Sequence, residues 1–275
     1  PKALGLYYSL LINNKKVTIY TKKDIGKFKN KRIFIIGTHM YNIYEFEDYT
    51  DIIRHIVSQL EKQDNTVFPK LEQINYWENK VFMHQKFDEV GIKTPQSYMI
   101  NSLEELNCNE ISFTFLIKEP HYCSAKGIYK INNGDDLIKL KKELKLSSNL
   151  IVQELLNIRK DLRVIIVGKE IVLHYWRINL AKEWKQISTG HGSKVDFITF
   201  PDKWKNLIIQ NLEKLNLDTG AFDIAWNNDD LNTEPYFLEV SPFYQPNPIP
   251  KFDLNKLNYG DWKNSFSIKN NYNKE

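Results

Sequence analysis

Apolar positions in the first part of the chain fall mainly on a helical period. Residues 3–14, ALGLYYSLLINN, predict a helix; KVTIY at 16–20 predicts a short strand and RIFIIGT at 32–38 a second. From about Thr50 to Lys62, Ile52, Ile53, Ile56, Val57 and Leu60 gather on one side of an amphipathic helix. Strands alternating with helices predict a small α/β unit with a parallel sheet. NKVFMHQKFDEV, 79–90, predicts a helix stopped by Gly91, and IKTPQSYMI a strand entered past Pro95. From about residue 111 the pattern turns β-rich. ISFTFLIK is ended by Pro120, GIYKI follows a polar loop, and LIVQELL follows the helix DDLIKLKKELK. RVIIV and EIVLHYWRI flank Gly168-Lys169, a two-residue spacer that suits a hairpin. After a polar loop with Gly190 and Gly192 comes a helix from about Asp202 to Leu215. GAFDIAW and YFLEV then read as strands on either side of the polar turn NNDDLNTEP. The tail beyond Asn264 is polar and is expected to fray.

With 275 residues, 42% hydrophobic and 26% charged, the chain has enough material for two lobes around real cores. No run approaches the ~20 apolar residues of a membrane helix. The first residues lack the basic head and small-residue cleavage site of a signal peptide, and a start on Pro1 points to a cut or processed end. Cys108 and Cys123 cannot build a disulfide framework, so a reducing, cytoplasmic setting is the expectation. A formal charge of +4, evenly spread, gives no footprint for nucleic acid. Of the 38 basic residues only five are arginine, and Arg159, Arg163 and Arg177 fall close together. Arginine suits sites where a planar fork grips phosphate or carboxylate.

Two acids stand out because each is embedded among apolar residues: Asp223 in GAFDIAW and Glu239 in YFLEV. A carboxylate there is costly unless paired or bound to a metal. If the two strands pair, both acids face one side, as protein ligands of Mg²⁺ commonly do. A salt bridge from each acid to a Lys or Arg is the other reading. Lys118 closes its strand beside a polar loop holding Ser124, Lys126 and Gly127, which reads either as a phosphate-covering loop or as solvated surface. There is no GxxxxGK[ST] and no GxGxxG. Gln153 to Leu156 end a strand whose backbone can meet an adenine edge, and Arg163 and Arg177 end strands of one hairpin. Cys123 reads as a small loop residue and His191 as a loop or substrate contact. Trp176, Trp184 and Trp226 read as packing residues.

Taken in order, Lys80, Lys118, the 124–127 loop, the Gln153–Leu156 linker, Arg163, Arg177, Asp223 and Glu239 resemble the ATP-grasp superfamily. The likeness is greatest to carboxylate–amine ligases such as the ribosomal-protein glutamate ligases, over about residues 75 to 248. The resemblance implies an α/β fold with α+β lobes: a small N-terminal pre-grasp domain at 1–76, grasp lobes at 77–157 and 158–265, and a polar tail at 266–275. It implies that Lys80 and Lys118 contact phosphate and that Ser124, Lys126 and Gly127 lie in the loop over the triphosphate. Gln153, Glu154 and Leu156 would meet adenine, and Asp161 with Arg163 would form the family's Asp-x-Arg. Arg177 would approach the transferring phosphate, and Asp223 and Glu239 would hold Mg²⁺.

The chain also departs from that family. Ser241 stands where Glu-x-Asn is usual, and Lys185 and Ile187 stand where Arg-x-Asn is. Tyr244, Gln245 and Asn247 follow in a turn of different character. The implied activity is an ATP-dependent ligation of a small-molecule or peptide carboxylate to an amine through an acylphosphate. A phosphotransferase and a non-catalytic nucleotide binder are the alternatives, and a homodimer is possible.

Overall fold

A computed structural model describes residues 26–35, 46–77, 79–107, 112–121, 127–143, 149–188, 192–197 and 199–244. The helix expected at 3–14, the strand at 16–20, the end of the strand at 36–38 and the polar tail lie outside the described residues. So do Cys108, Cys123 and His191.

In chain order the elements are β1 (Arg32–Phe34), α1 (Phe46–Glu61), β2 (Thr66–Phe68), α2 (Leu71–Ile74), α3 (Lys80–Glu89), β3 (Ser97–Ile100), β4 (Phe115–Lys118) and β5 (Ile128–Ile131). There follow α4 (Gly134–Glu143), β6 (Leu150–Glu154), β7 (Lys160–Val167), β8 (Glu170–Ile178), β9 (Lys194–Asp196), α5 (Lys205–Lys214), β10 (Thr219–Ala225) and β11 (Tyr236–Ser241).

β1 and β2 pair in parallel, Ile33 opposite Val67, as the alternation of strand and helix predicts. α1 turns Val57 and Leu60 fully inward, with Ile53 and Ile56 partly covered. Ile52, expected on that side, is 40% exposed: at 100° per residue it rotates off the stripe set by 53, 56, 57 and 60.

The second sheet runs β3-β6-β4-β5, antiparallel throughout. Phe115, Ile117, Ile131, Leu150 and Val152 pack with Leu137 and Leu140 of α4. Because side chains alternate along a strand, Leu116, Lys118, Ile128 and Gln153 are left on the other face.

The third sheet runs β11-β10-β7-β8-β9. Its apolar face, including Leu162, Val164, Ile166, Phe222, Ile224 and Phe237, packs on Met83 and Phe87 of α3 and on Ile208 and Leu212 of α5. Chain order groups α3 with the four-stranded sheet; its buried stripe belongs to this core instead. Asn79 Oδ1 caps α3 by accepting from Phe82 N, and Gly91 at φ +66 ends it. Ile92 N donates to Phe87 O and Gly91 N to Asp88 O, the Schellman pattern that a left-handed residue permits. The β7–β8 hairpin turns at Gly168, φ +59, as its spacing predicts. It begins at Lys160, earlier than Arg163, and so sets Asp161 opposite Arg177. Among the described residues no helix is long and apolar enough to cross a membrane.

Candidate active site

A cavity of about 230 Å³ lies between the polar faces of the two larger sheets. Lys80, Lys118, Gln153, Glu154, Leu156, Asp161, Arg163, Arg177, Asp223, Glu239 and Ser241, all expected in the site, line it. Lys185, Ile187 and Tyr244 line it too. Ser124, Lys126, Gln245 and Asn247 lie outside the described residues; Gly127 takes φ +64 immediately before β5.

Strand register builds a row of charge across the five-stranded sheet. Glu239 on β11 opposes Asp223 on β10, which opposes Arg163 on β7. One step along, Asp161 opposes Arg177. Arg163 Nη1 donates to Asp223 Oδ1 at 2.8 Å, and Arg177 Nη2 lies 2.9 Å from Asp223 Oδ2. Arg177 also donates to both oxygens of Asp161, from Nε at 2.7 Å and from Nη2 at 2.6 Å. Such forked, charge-assisted bonds are the strongest available to a buried carboxylate. Burial works against the charge on Arg177, but Asp161 and Asp223 outweigh it and hold its pKa well above the ordinary value. Burial alone would raise Asp223; Arg163 and Arg177 instead hold it below the usual carboxylate range. Burial pushes Asp161 up, with Arg177 offsetting part of the rise.

The ion-pair reading is therefore the one realised at Asp223. Glu239 is different: among the described residues its carboxylate makes no hydrogen bond or ion pair. Ser241, two residues on and on the same side of β11, donates its hydroxyl to Phe243 O. No cluster of three or more His, Cys, Asp or Glu side chains able to hold a metal occurs among the described residues.

Opposite this row, Lys118 is buried, and its ammonium is lowered to about 8. Burial is the main cause and Lys80 the second, with Glu239 and Asp223 pulling the other way. Lys80 reaches the cavity from the first turn of α3, whose position is fixed by Lys80 N donating to Pro120 O. One helical turn further, His84 is buried and held neutral, its pKa pushed down to about 3 by burial, then by Lys118 and Lys80. Its Nε2 has no hydrogen-bond partner. The spacing of His84 from Lys80 was available in the sequence; its environment was not.

Gln153 is buried and donates from Nε2 to Ser97 Oγ, while exposed Glu154 accepts from Gln96 N. Strict alternation along YFLEVS would turn Leu238 away from the cavity. A bulge intervenes, with Asp223 opposite Glu239 but Ile224 opposite Phe237, and Leu238 joins Glu239 in lining the site. Trp184, read as packing, is 38% exposed and lines the cavity, whereas Trp176 and Trp226 are core residues as expected. Gln186 and Ser188 also line it and had no signal beyond their nearness to Lys185.

No protein-family model and no curated protein matches the chain by sequence. The fold is nevertheless that of ATP-grasp ligases. PsnB, an ATP-grasp ligase solved with a minimal precursor, superposes with a TM-score of 0.52 at 15% identity, over 78% of this chain and 70% of that one. A RimK-domain ATP-grasp protein from Sphaerobacter thermophilus gives 0.54 at 13% identity, over 69% and 68%. The D-alanine–D-alanine ligase of Bacillus anthracis gives 0.57 at 12% identity, over 78% and 87%. At these identities the likeness is one of fold, and it agrees with the resemblance drawn from the order of charged residues.

Proposed function

We propose that the protein is an ATP-dependent carboxylate–amine ligase, forming an amide through an acylphosphate and releasing ADP and phosphate. The observation that carries this reading is the convergence of Lys80, Lys118, Arg163, Arg177 and Glu239 on one cavity of an ATP-grasp fold. Residues 77–157 and 158–265 would act as the two grasping lobes, in a cytoplasmic setting.

Phosphoryl transfer depends mainly on positioning and charge neutralisation. Lys118 and Lys80 receive the triphosphate, for which two neighbouring buried ammonium groups are otherwise a poor arrangement. Gln153, Glu154 and Leu156 border the adenine end, with Leu238 contributing apolar surface. Arg163 and Arg177, fixed in direction by Asp223 and Asp161, face the transferring phosphate and the substrate carboxylate. The residues fit Mg²⁺: Glu239 is an unpaired hard-oxygen ligand, Ser241 lies on the same face, and Asp223 offers only the lone pairs its arginines leave. Magnesium would neutralise phosphate oxygens as the bond to the leaving group breaks. An amine then attacks the acyl carbon and phosphate departs. PsnB has been solved with its precursor peptide and an ATP analogue, and a peptide or a small molecule is the class of substrate to test.

One observation favours a second reading. Ile187 brings an apolar side chain to the cavity, which suits an acceptor other than a polar amine, and with it a phosphotransferase.

The test is the thermal unfolding midpoint with and without Mg²⁺·ATP, with GTP and metal-free ATP as controls, followed by ADP release with acid–amine pairs. Ligand at about 100 Kd adds roughly 2.7 kcal/mol, or about 5–10 °C. No shift at millimolar ATP sinks the reading. ADP release that needs an acid but no amine favours the phosphotransferase.

A further inference from the structure

β5 is the last strand of its sheet, so one of its edges is unpaired. Lys118 and Ile128 oppose each other, and Glu119 N donates to Gly127 O just beyond them. That pattern marks Lys118 and Ile128 as a non-hydrogen-bonded pair, whose backbone groups point away from each other. The carbonyl of Ile128 is thus directed outward from the sheet. Gln186 meets it: Nε2 donates to Ile128 O at 2.7 Å. Two residues along β5, Lys130 places Nζ over the Trp184 ring, 5.7 Å from its centroid. Trp184 and Gln186 belong to the segment leaving β8, in the other sheet. The stretch carrying Lys185, Ile187 and Ser188 therefore hangs from the free edge of the strand pair that carries Lys118.

We propose that Gln186 is a positioning residue for the nucleotide site. Its donor to the Ile128 carbonyl fixes the segment 184–188 against β4–β5 and so sets the width of the cleft in which Lys118 faces Arg163 and Arg177. The proposal rests on the ATP reading above. A carboxamide supplies the donor without adding charge beside the phosphates. On a free edge water can replace that donor, so the bond contributes little to folding while still deciding how far apart the two sheets stand.

Gln186→Glu keeps the size of the side chain but aims an acceptor at an acceptor; Gln186→Met removes the donor without adding charge. Each is titrated with a fluorescent ATP analogue and Mg²⁺, alongside its ligand-free unfolding midpoint. Difference spectra against Trp184→Phe isolate the emission of Trp184. Loss of a single hydrogen bond that orders the cleft predicts about tenfold weaker binding in both variants. The ligand-free midpoint stays within about 2 °C of wild type. The nucleotide-dependent change in Trp184 emission disappears. Wild-type affinity in Gln186→Met overturns the proposal, whatever Gln186→Glu does. A midpoint lower by more than about 5 °C in both variants also overturns it, since the bond is then a prop of the fold. If wild-type protein binds no nucleotide, the ATP reading itself fails and takes the proposal with it.

Discussion

Lys118 is enclosed on all sides, and its ammonium is brought down from the ordinary 10.5 to about 8, by burial first and then by Lys80. At about 1.4 kcal/mol per unit, holding the charge at pH 7 costs the ligand-free fold on the order of 3 kcal/mol. Methionine matches the length of the side chain and carries no charge. Lys118→Met is therefore expected to raise ligand-free stability at pH 7 by up to about 3 kcal/mol, while removing most of the affinity for Mg²⁺·ATP. The pH dependence gives an internal check. The folded-state pKa lies below the unfolded one, so between pH 8 and 10.5 the folded wild type binds fewer protons than the unfolded chain. Over that window it gains stability relative to the variant as pH rises; below pH 8 the difference is constant. Urea unfolding of both proteins at pH 7 and pH 9.5 reads this directly. The gap should narrow by up to about 2 kcal/mol at the higher pH. A variant less stable than wild type at pH 7, or a gap that does not narrow, refutes the reasoning.

Glu239→Gln removes the one carboxylate of the row with no arginine partner. It should abolish the Mg²⁺-dependent part of ATP binding, seen by calorimetry with and without metal, and leave the unfolding midpoint in place; retained metal dependence would remove Glu239 from the metal site. Asp161→Asn takes a charge from beneath Arg177 and leaves Asp223 to balance two guanidinium groups. Breaking a buried pair from one side predicts a loss of about 3–5 kcal/mol in urea, and a loss below about 1 kcal/mol would mean that the pair is replaced by water.

Much of the site was legible because chemistry at odds with its surroundings is visible in a sequence. Asp223 and Glu239 interrupt apolar strands, and two arginines bound one hairpin. What lay beyond reach was register. Asp161 falls before the apolar run RVIIV, so its partnership with Arg177 appears only when the hairpin extends to Lys160 and Ile178. Whether Asp223 meets a metal or an arginine depends on which residue the neighbouring strand sets beside it, and here that is Arg163. β2 and β9 have three residues each, too few to show a period. α3 displays its stripe clearly, but a stripe does not name the sheet that covers it. The contact from Gln186 to Ile128 joins residues 58 apart in sequence, with no local pattern at either end.

The extra residue in β11 also fixes how this stretch tolerates change. Between Phe237, turned to the core, and Glu239, turned to the cavity, Leu238 acts as a phase shift, restoring the parity of everything after it. Deleting it would join two stretches already in opposite phase: Glu239 and Ser241 would rotate into the packed side, or Phe237 would swing into the cleft. Substitutions at Leu238 change one wall of a pocket. Insertions and deletions there act like a frameshift written in side chains, so descendants of this chain can vary the residue at that position but not the count.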